Sequence, residues 1–486
     1  MIEKKFPMRI TSIFLIVSIL VVTGCETRKA SDFEALRIIA LQIENGNLTM
    51  AKRVADSLKN VTRDEEIRRK ADSLSDITRR IRLEFSVKEA FIDTLFASRI
   101  EGYTPAIRSK WEDSGWLEYR IIDGEKRYFN RAASNLNLVR YFHENRSYRD
   151  SLAAVDQRIV FRKNHTSEII NKSAGTSSPS VPVKVEVIYT ITVKADAVPP
   201  GETVRCWLPF PKENNIRQTD VYLLGISNEN NFFLAPDSVT HRTIYMEEKA
   251  KRGIPVIFQA AYSFTSYGHY FDPEKLKILP YNRNSEIYKT YTREQLPHIC
   301  FTDKVKKLAD SLAGSEKNPY EIVKKFYYWF NNNIPWAGAL EYSIIPNIPE
   351  YTLAHRRGDC GMQTFLLMSM LRYKGIPVKW QSGWMIPPES ENLHDWCEVY
   401  YEGTGWVPLD ISYSLQYSEN LKLKEFYISG IDSYRMIIND GVSGTLYPPK
   451  KHIRSEPFDF QRGEVEWDGG NLYFDKWDYD LKVTFR

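Results

Sequence analysis

The chain has 486 residues, of which 43% are hydrophobic and 26% charged, a globular composition with enough apolar material for more than one core. Its formal net charge is only +4, and no basic stripe stands apart from the balancing acids, so nucleic acid is not an expected partner. Aromatic residues reach 13%, which suits aromatic-rich sheets or a substrate groove equally well.

In chain order, the first segment carries Lys4, Lys5 and Arg9, then a charge-free stretch from Ile10 to Val22. That stretch is too short for a confident membrane span and fits a signal-peptide core. It ends in Val22-Thr23-Gly24-Cys25, which resembles the lipobox of bacterial lipoproteins. The resemblance implies cleavage after residue 24 and a lipid on Cys25. The mature protein is then exported and tethered to a membrane. Glu26, rather than Asp, follows the cysteine, so an outer-membrane location is expected, with its face left open. Four cysteines remain: Cys206, Cys300, Cys360 and Cys397. In an oxidising compartment an even count leaves a disulfide reading open, and a bridge through Cys360 would exclude it as a nucleophile.

Residues 25–170 read as a mainly helical region. Apolar residues recur at three and four positions, Gly46-Asn47 separates two helices, and the plain reading is a small helical hairpin domain or stalk. Two β-type runs flank Asp123-Gly124, a type I′ hairpin signal, and a helical stretch then runs from about residue 132 to 163. Residues 171–182, rich in Ser, Gly and Pro, read as a linker and domain boundary. From 183 to 275 the period changes to two, as in VKVEVIYTITVKA, which predicts an antiparallel β-sandwich.

Helices return in the span 276–445. Thr302 caps one that stops at Gly314, Pro319 opens a second, and a third starts at Cys360 and exits at Gly375-Ile376-Pro377. Short strands follow in VKWQSGWMI, HDWCEVYYEG and GWVPLDI. Residues 446–486 alternate again and are expected to return to the sandwich or to extend the core sheet. The fold class is therefore multidomain α+β: a helical N-terminal region, a β-sandwich, and an α+β core with its helices before its sheet.

Within that core, three residues suit nucleophilic acyl chemistry. Cys360 stands at a helix N-terminus, where free N–H groups favour a thiolate. His394 opens one strand and Asp410 ends the next, 16 residues on, across the turn at 402–405. Adjacent antiparallel strands would set the two side by side, with the carboxylate orienting the imidazole. Each residue has a plain alternative: a buried small side chain, a polar strand end, a turn cap. The order and setting of all three together favour chemistry.

Gly358-Asp359-Cys360, Arg372 with Gly375-Ile376-Pro377, His394 with Trp396-Glu398-Val399, and Trp406 with Asp410 appear in one order over residues 300–415. This pattern resembles the core of the transglutaminase-like superfamily, whose fold is cysteine-protease-like. The preceding sandwich is similar to the β-domain found before this core in some bacterial members. The resemblance implies Cys360 as nucleophile, His394 as base and acid, and Asp410 as orienter of the imidazole. Amide acyl groups of a peptide or protein would pass through a thioester, with hydrolysis favoured over transfer to an amine. Cys397 and Asp395 depart from the residues common in the family, and strand alternation points Asp395 to the face opposite His394. The Cys360 N–H is one expected oxyanion donor, and Trp336 is the side-chain candidate, its alternative being a core position. Gln363 reads as structural and His355 as a loop residue. No metal-ligand spacing and no nucleotide-binding loop is present in the sequence, so no cofactor or metal is expected. The rival reading is a binding or scaffold protein that kept the fold without the chemistry; the oligomeric state is not readable.

Overall fold

A computed structural model describes residues 25–144, 156–173, 176–229 and 231–486. The proposed signal segment, 1–24, lies outside them, and Cys25 is the first residue of helix α1 (Cys25–Glu44). Among the described residues, no helix is long and apolar enough to cross a membrane.

The chain divides into two compact units. The first takes the residues up to 108 together with 118–130, and the second takes 109–117 and 131–486. In the first, α1, α2 (Leu48–Val61) and α3 (Glu65–Glu84) pack around Ile39, Ala51, Ala55, Leu58, Ile67 and Ala71. These positions repeat at helical spacing, so each helix offers one apolar stripe. Asp64 caps α3 by accepting from the Glu66 and Ile67 amides. A short β1 (Val87–Lys88) and α4 (Glu89–Arg99) follow, and the division between units falls within α5 (Pro105–Asp113). The expected hairpin is β2 (Tyr119–Ile122) and β3 (Glu125–Tyr128), with Asp123 and Gly124 both at positive φ. Gly46 turns the chain between α1 and α2 at φ 77°. A Cβ there would stand 2.0 Å from the Ile121 carbonyl oxygen, so only glycine lets the hairpin approach.

The second unit begins with α6 (Ala132–Glu144) and α7 (Gln157–Lys172) and continues into a two-sheet sandwich. Its strands are β4 (Ser180–Val193), β5 (Thr203–Pro209), β6 (Gln218–Ile226), β7 (Phe232–Leu234), β8 (Thr243–Lys249) and β9 (Val256–Tyr270). The core helices follow: α8 (Glu286–Tyr291), α9 (Asp303–Ala313), α10 (Pro319–Asn333), α11 (Ile348–His355) and α12 (Cys360–Tyr373). Then come β10 (Val378–Met385), β11 (Asn392–Tyr401), β12 (Gly405–Leu409), β13 (Gly430–Ile431), β14 (Arg435–Asn439), β15 (Glu464–Trp467), β16 (Gly470–Leu472) and β17 (Trp477–Phe485). One sandwich sheet runs β13-β9-β4-β17 with β6 also on β9, the other β16-β15-β5-β8-β7, and the core sheet β12-β11-β10-β14. The C-terminal strands thus return to the sandwich, β17 pairing with β4 from Trp477 opposite Val193 to Phe485 opposite Val185.

At two of the expected boundaries the described residues pack together. The segment 171–182 does not separate compact units. Ile169 on α7 is fully buried, a Cβ at Gly268 of β9 would stand 2.4 Å from its Cδ1, and His269 Nε2 donates to the Ser177 carbonyl at 2.9 Å. The described residues 176–182 are thus held against β9. Nor do sandwich and core form separate units. Trp384, Met436 and Ile438 of the core sheet, with Ile386 just past β10, share one apolar cluster with Val187, Tyr189 and Ile191 of the sandwich.

Helix α12 is buried along its length up to Arg372, with apolar residues on all sides, as befits a helix enclosed by other elements. Its N-terminus and the β11–β12 edge carry the candidate chemistry.

Candidate active site

Cys360 is the first residue of α12, and Asp359 before it caps the helix by accepting from the Met362 amide at 3.0 Å. The thiol is 7% exposed and donates to Asp395 Oδ2 at 3.4 Å. Burial pushes its pKa well above the ordinary thiol range, and the Asp395 and Asp359 carboxyls push it further. The positive end of the helix works in the opposite sense but does not prevail, so this arrangement holds a protonated thiol.

His394 and Asp410 are in contact. The imidazole Nε2 donates to Asp410 Oδ2 at 2.7 Å, and both side chains are buried. The register that sets Cys397 opposite Leu409 brings Asp410 level with this end of β11. Asp410 also accepts from Arg435 Nη1 at 2.7 Å, and Arg435 holds Asp432 at 2.6 Å. Burial alone would raise the Asp410 pKa, but the charges of His394 and Arg435 outweigh it and hold the carboxyl below its usual range. With Nε2 engaged by Asp410, Nδ1 is the nitrogen left for a reacting group. The ring is flanked by Trp396 and by Tyr413, whose centroids lie 6.0 and 5.3 Å away.

Cys360, His394, Asp395, Asp359, Tyr342 and Trp336 all line one cavity of about 770 Å³ within the second unit. Among the described residues no hydrogen bond joins Cys360 to His394. The expected base is thus locked to its orienter, and the expected nucleophile faces the same cavity with its thiol turned to another carboxyl.

Trp336 is 42% exposed, which takes it out of the core. Its backbone pairs with Gly358, through the Ala337 amide to the Gly358 carbonyl and the Gly358 amide to the Pro335 carbonyl, each at 3.2 Å. The indole is therefore held beside the loop that leads into Cys360. Gln363 Nε2 donates to the Ile334 and Gly358 carbonyls at 3.2 Å and ties down that loop. His355 closes α11 with its ring stacked on Tyr351 and does not line the cavity. The four cysteines outside the lipobox are free and buried.

Three residues of the site escape the sequence reading. Asp395 follows His394 on β11, yet its carboxyl reaches the Cys360 thiol in the cavity that His394 also lines; the position of β11 against α12, rather than strand alternation alone, sets this contact. Tyr342 donates to Asp359 Oδ1 at 2.5 Å and packs over Gly361, whose Cβ would stand 2.2 Å from the hydroxyl. Arg435 sits on β14, a strand with no motif of its own, paired to β10.

Residues 306–411 match the family model described as the transglutaminase-like superfamily, so this part of the second unit is a transglutaminase-like domain. Among curated proteins, an uncharacterized protein of Bacillus subtilis, YebA, is 24% identical over 169 residues, covering 31% of this chain and 23% of that protein. The match therefore spans under a quarter of that relative's length. Among solved structures, a candidate cysteine protease from Cytophaga hutchinsonii has 16% identity and a TM-score of 0.42, covering 63% of this chain and 91% of that one. The periplasmic domain of TgpA from Pseudomonas aeruginosa has 14% identity and a TM-score of 0.24, covering 50% of this chain and 91% of that one.

Proposed function

We propose that this chain, with its transglutaminase-like domain, is an exported, membrane-anchored cysteine enzyme that cleaves amide bonds of peptides or proteins through a thioester on Cys360. The supporting observation is the His394–Asp410 hydrogen bond of 2.7 Å in a cavity that also contains Cys360 at the start of α12.

In this reading the Cys360 side chain turns from Asp395 to His394, whose Nδ1 takes the thiol proton as sulfur attacks the amide carbonyl. The oxyanion is met by the Cys360 N–H, with the Trp336 indole N–H as the side-chain donor. Collapse breaks the C–N bond, and His394 gives its proton to the departing amine. Water then attacks the thioester, His394 takes one proton from it, and the acid leaves as the proton returns to the thiol. Asp410 remains ionised throughout and fixes the ring. The lipid on Cys25 would hold the catalytic unit at a membrane, with the outer membrane expected.

A second reading has its own observation. The thiol is bonded to Asp395, not to His394, as suits a scaffold that kept the fold without the chemistry. Mass spectrometry of the full chain mixed with p-nitrophenyl acetate separates the two. An acetyl group on the Cys360 peptide, absent in Cys360→Ala and strongly reduced in His394→Ala, supports the enzyme. No acetylation, or acetylation indifferent to His394, supports the scaffold. Incorporation of labelled palmitate that is lost in Cys25→Ala tests the anchor.

A further inference from the structure

The wall of the cavity nearest the thiol carries more carboxyls than acyl transfer uses. Four of them are partnered. Asp359 accepts from Tyr342 and Met362, and Asp395 accepts from Cys360 and from Gln461 Nε2, the last at 2.8 Å. Glu341 holds both Nη atoms of Arg462 at 2.9 and 2.5 Å. Glu456 accepts from the Gln461 and Arg462 amides at 2.7 and 2.8 Å and from the Arg462 guanidinium.

Asp459 is different. It is 8% exposed and lines the cavity, yet among the described residues no hydrogen bond or ion pair reaches its carboxyl. Its carboxyl opens to the cavity and finds no protein donor there, and a charge held in so enclosed a place is costly without a partner. Glu456, Glu341 and Asp359 act on it as like charges, while Arg462 is committed to Glu341 and Glu456 and Arg454 donates to Glu464. Burial first, and then the Glu456 charge, push the Asp459 pKa well above the carboxylate range; Asp395 is raised by burial and by Asp459 in turn. A cation at this point would let both ionise. Among the described residues, no three His, Cys, Asp or Glu are grouped as metal ligands, so a cation that needs a single carboxylate, such as an ammonium, suits the position better than a metal ion. A primary ammonium offers N–H donors from a compact head, which one free carboxyl can accept while the charges of Asp395 and Glu456 add to the field there.

We propose that Asp459, backed by Asp395 and Glu456, binds a primary ammonium group of the substrate beside the amide that Cys360 attacks. The proposal rests on the acyl-transfer reading of Cys360. The ammonium would belong either to a free peptide N-terminus or to a lysine-type side chain. On the far wall, Arg158, Arg162 and His165 of α7 face the same cavity, so the field there is of mixed sign and the preference is local to Asp459.

The test uses the full chain and the 2-aminoethyl and 2-sulfonatoethyl methanethiosulfonates, which are of similar size and opposite charge. Labelling of the Cys360 peptide is followed by mass spectrometry. The cationic-to-anionic rate ratio is expected to exceed that of free cysteine at least tenfold, and to fall to near the free-thiol value in Asp459→Asn and Asp459→Ser. A wild-type ratio equal to that of free cysteine, or one unmoved by both substitutions, overturns the proposal. A second readout needs no thiol: cadaverine should raise the Tm of Cys360→Ala but not of Cys360→Ala/Asp459→Asn. Equal shifts overturn the proposal too. Protection of Cys360 by alanine amide or by Nα-acetyl-lysine amide assigns the source of the ammonium, and protection by neither counts against the site. The cadaverine result stands even if Cys360 proves not to be a nucleophile, so failure of the binding site and failure of the enzyme reading remain distinguishable.

Discussion

The Cys360 thiol lies 3.4 Å from Asp395 Oδ2, while its expected base, His394, is bonded to Asp410 at 2.7 Å. Two carboxyls thus divide the nucleophile and the imidazole between them. Ionising the thiol beside Asp395 is unfavourable, so the carboxyl stabilises the resting, protonated form. Asp395→Asn keeps the shape and removes the carboxyl whose ionised form opposes the thiolate. The midpoint of the pH dependence of Cys360 alkylation should move down by about one unit, equivalent to about 1.4 kcal/mol. An unchanged midpoint would show that Asp395 has no hold on the thiol.

Arg435 is enclosed between Asp410 and Asp432, and all three side chains are buried. Removing one partner from such a group leaves uncompensated charge, at a cost of about 3–5 kcal/mol. Arg435→Met should lose that much in urea unfolding and should also release Asp410 from its place under His394. Arg435→Met/Asp432→Leu should recover part of the loss, because one of the stranded charges goes with it.

Gly361 follows the nucleophile, and a Cβ there would stand 2.2 Å from the Tyr342 hydroxyl and 2.6 Å from Asp395 Oδ2. Gly361→Ala should cost about 1–3 kcal/mol as overpacking and should slow thiol labelling by displacing Asp395 or α12. Gly361→Ala/Tyr342→Phe removes the closest contact and should restore part of both. Equal stability and reactivity in Gly361→Ala would mean that the site is looser than its geometry.

The site's carboxyls give stability two opposite pH dependences. Asp410 and Asp432 have folded pKa values held below the unfolded carboxylate value; burial opposes this, but the neighbouring cations prevail. Their contribution is complete above about pH 4 and is lost as pH falls through the depressed values. Asp359 is the reverse. Burial raises it to about 6, so its contribution is complete below about pH 4 and is lost as pH rises through 6. Asparagine also caps helices well. The Tm of Asp359→Asn relative to wild type should therefore climb between pH 4 and 7, and a difference independent of pH would contradict the assignment.

What was legible in the sequence was local. Asp359 and Thr302 announce the starts of α12 and α9, Gly314 a stop, and Asp123-Gly124 the hairpin, because caps and turns are chosen by neighbouring residues. The 16-residue interval between His394 and Asp410 contains its own turn, so that contact followed from strand pairing. The groups that complete the site come from distant segments. Arg435 reaches Asp410 only because β14 adds to β10, and Asp459 reaches the thiol's cavity only because the chain returns toward the sandwich through residues 454–463. Nothing in their local pattern records those returns. Asp395 is visible in the sequence beside His394, but its contact with the thiol depends on where α12 packs, which the strand pattern does not show.

The central claim is that His394 activates Cys360, and the most direct measurement is the rate of iodoacetamide labelling at Cys360 from pH 4 to 9 in wild type and His394→Ala, with Cys206, Cys300 and Cys397 as internal references. Wild-type labelling at pH 7 is expected to be at least tenfold faster than in the variant, and faster than at any reference cysteine. A Cys360 that labels at one rate with and without His394, or not at all, contradicts it.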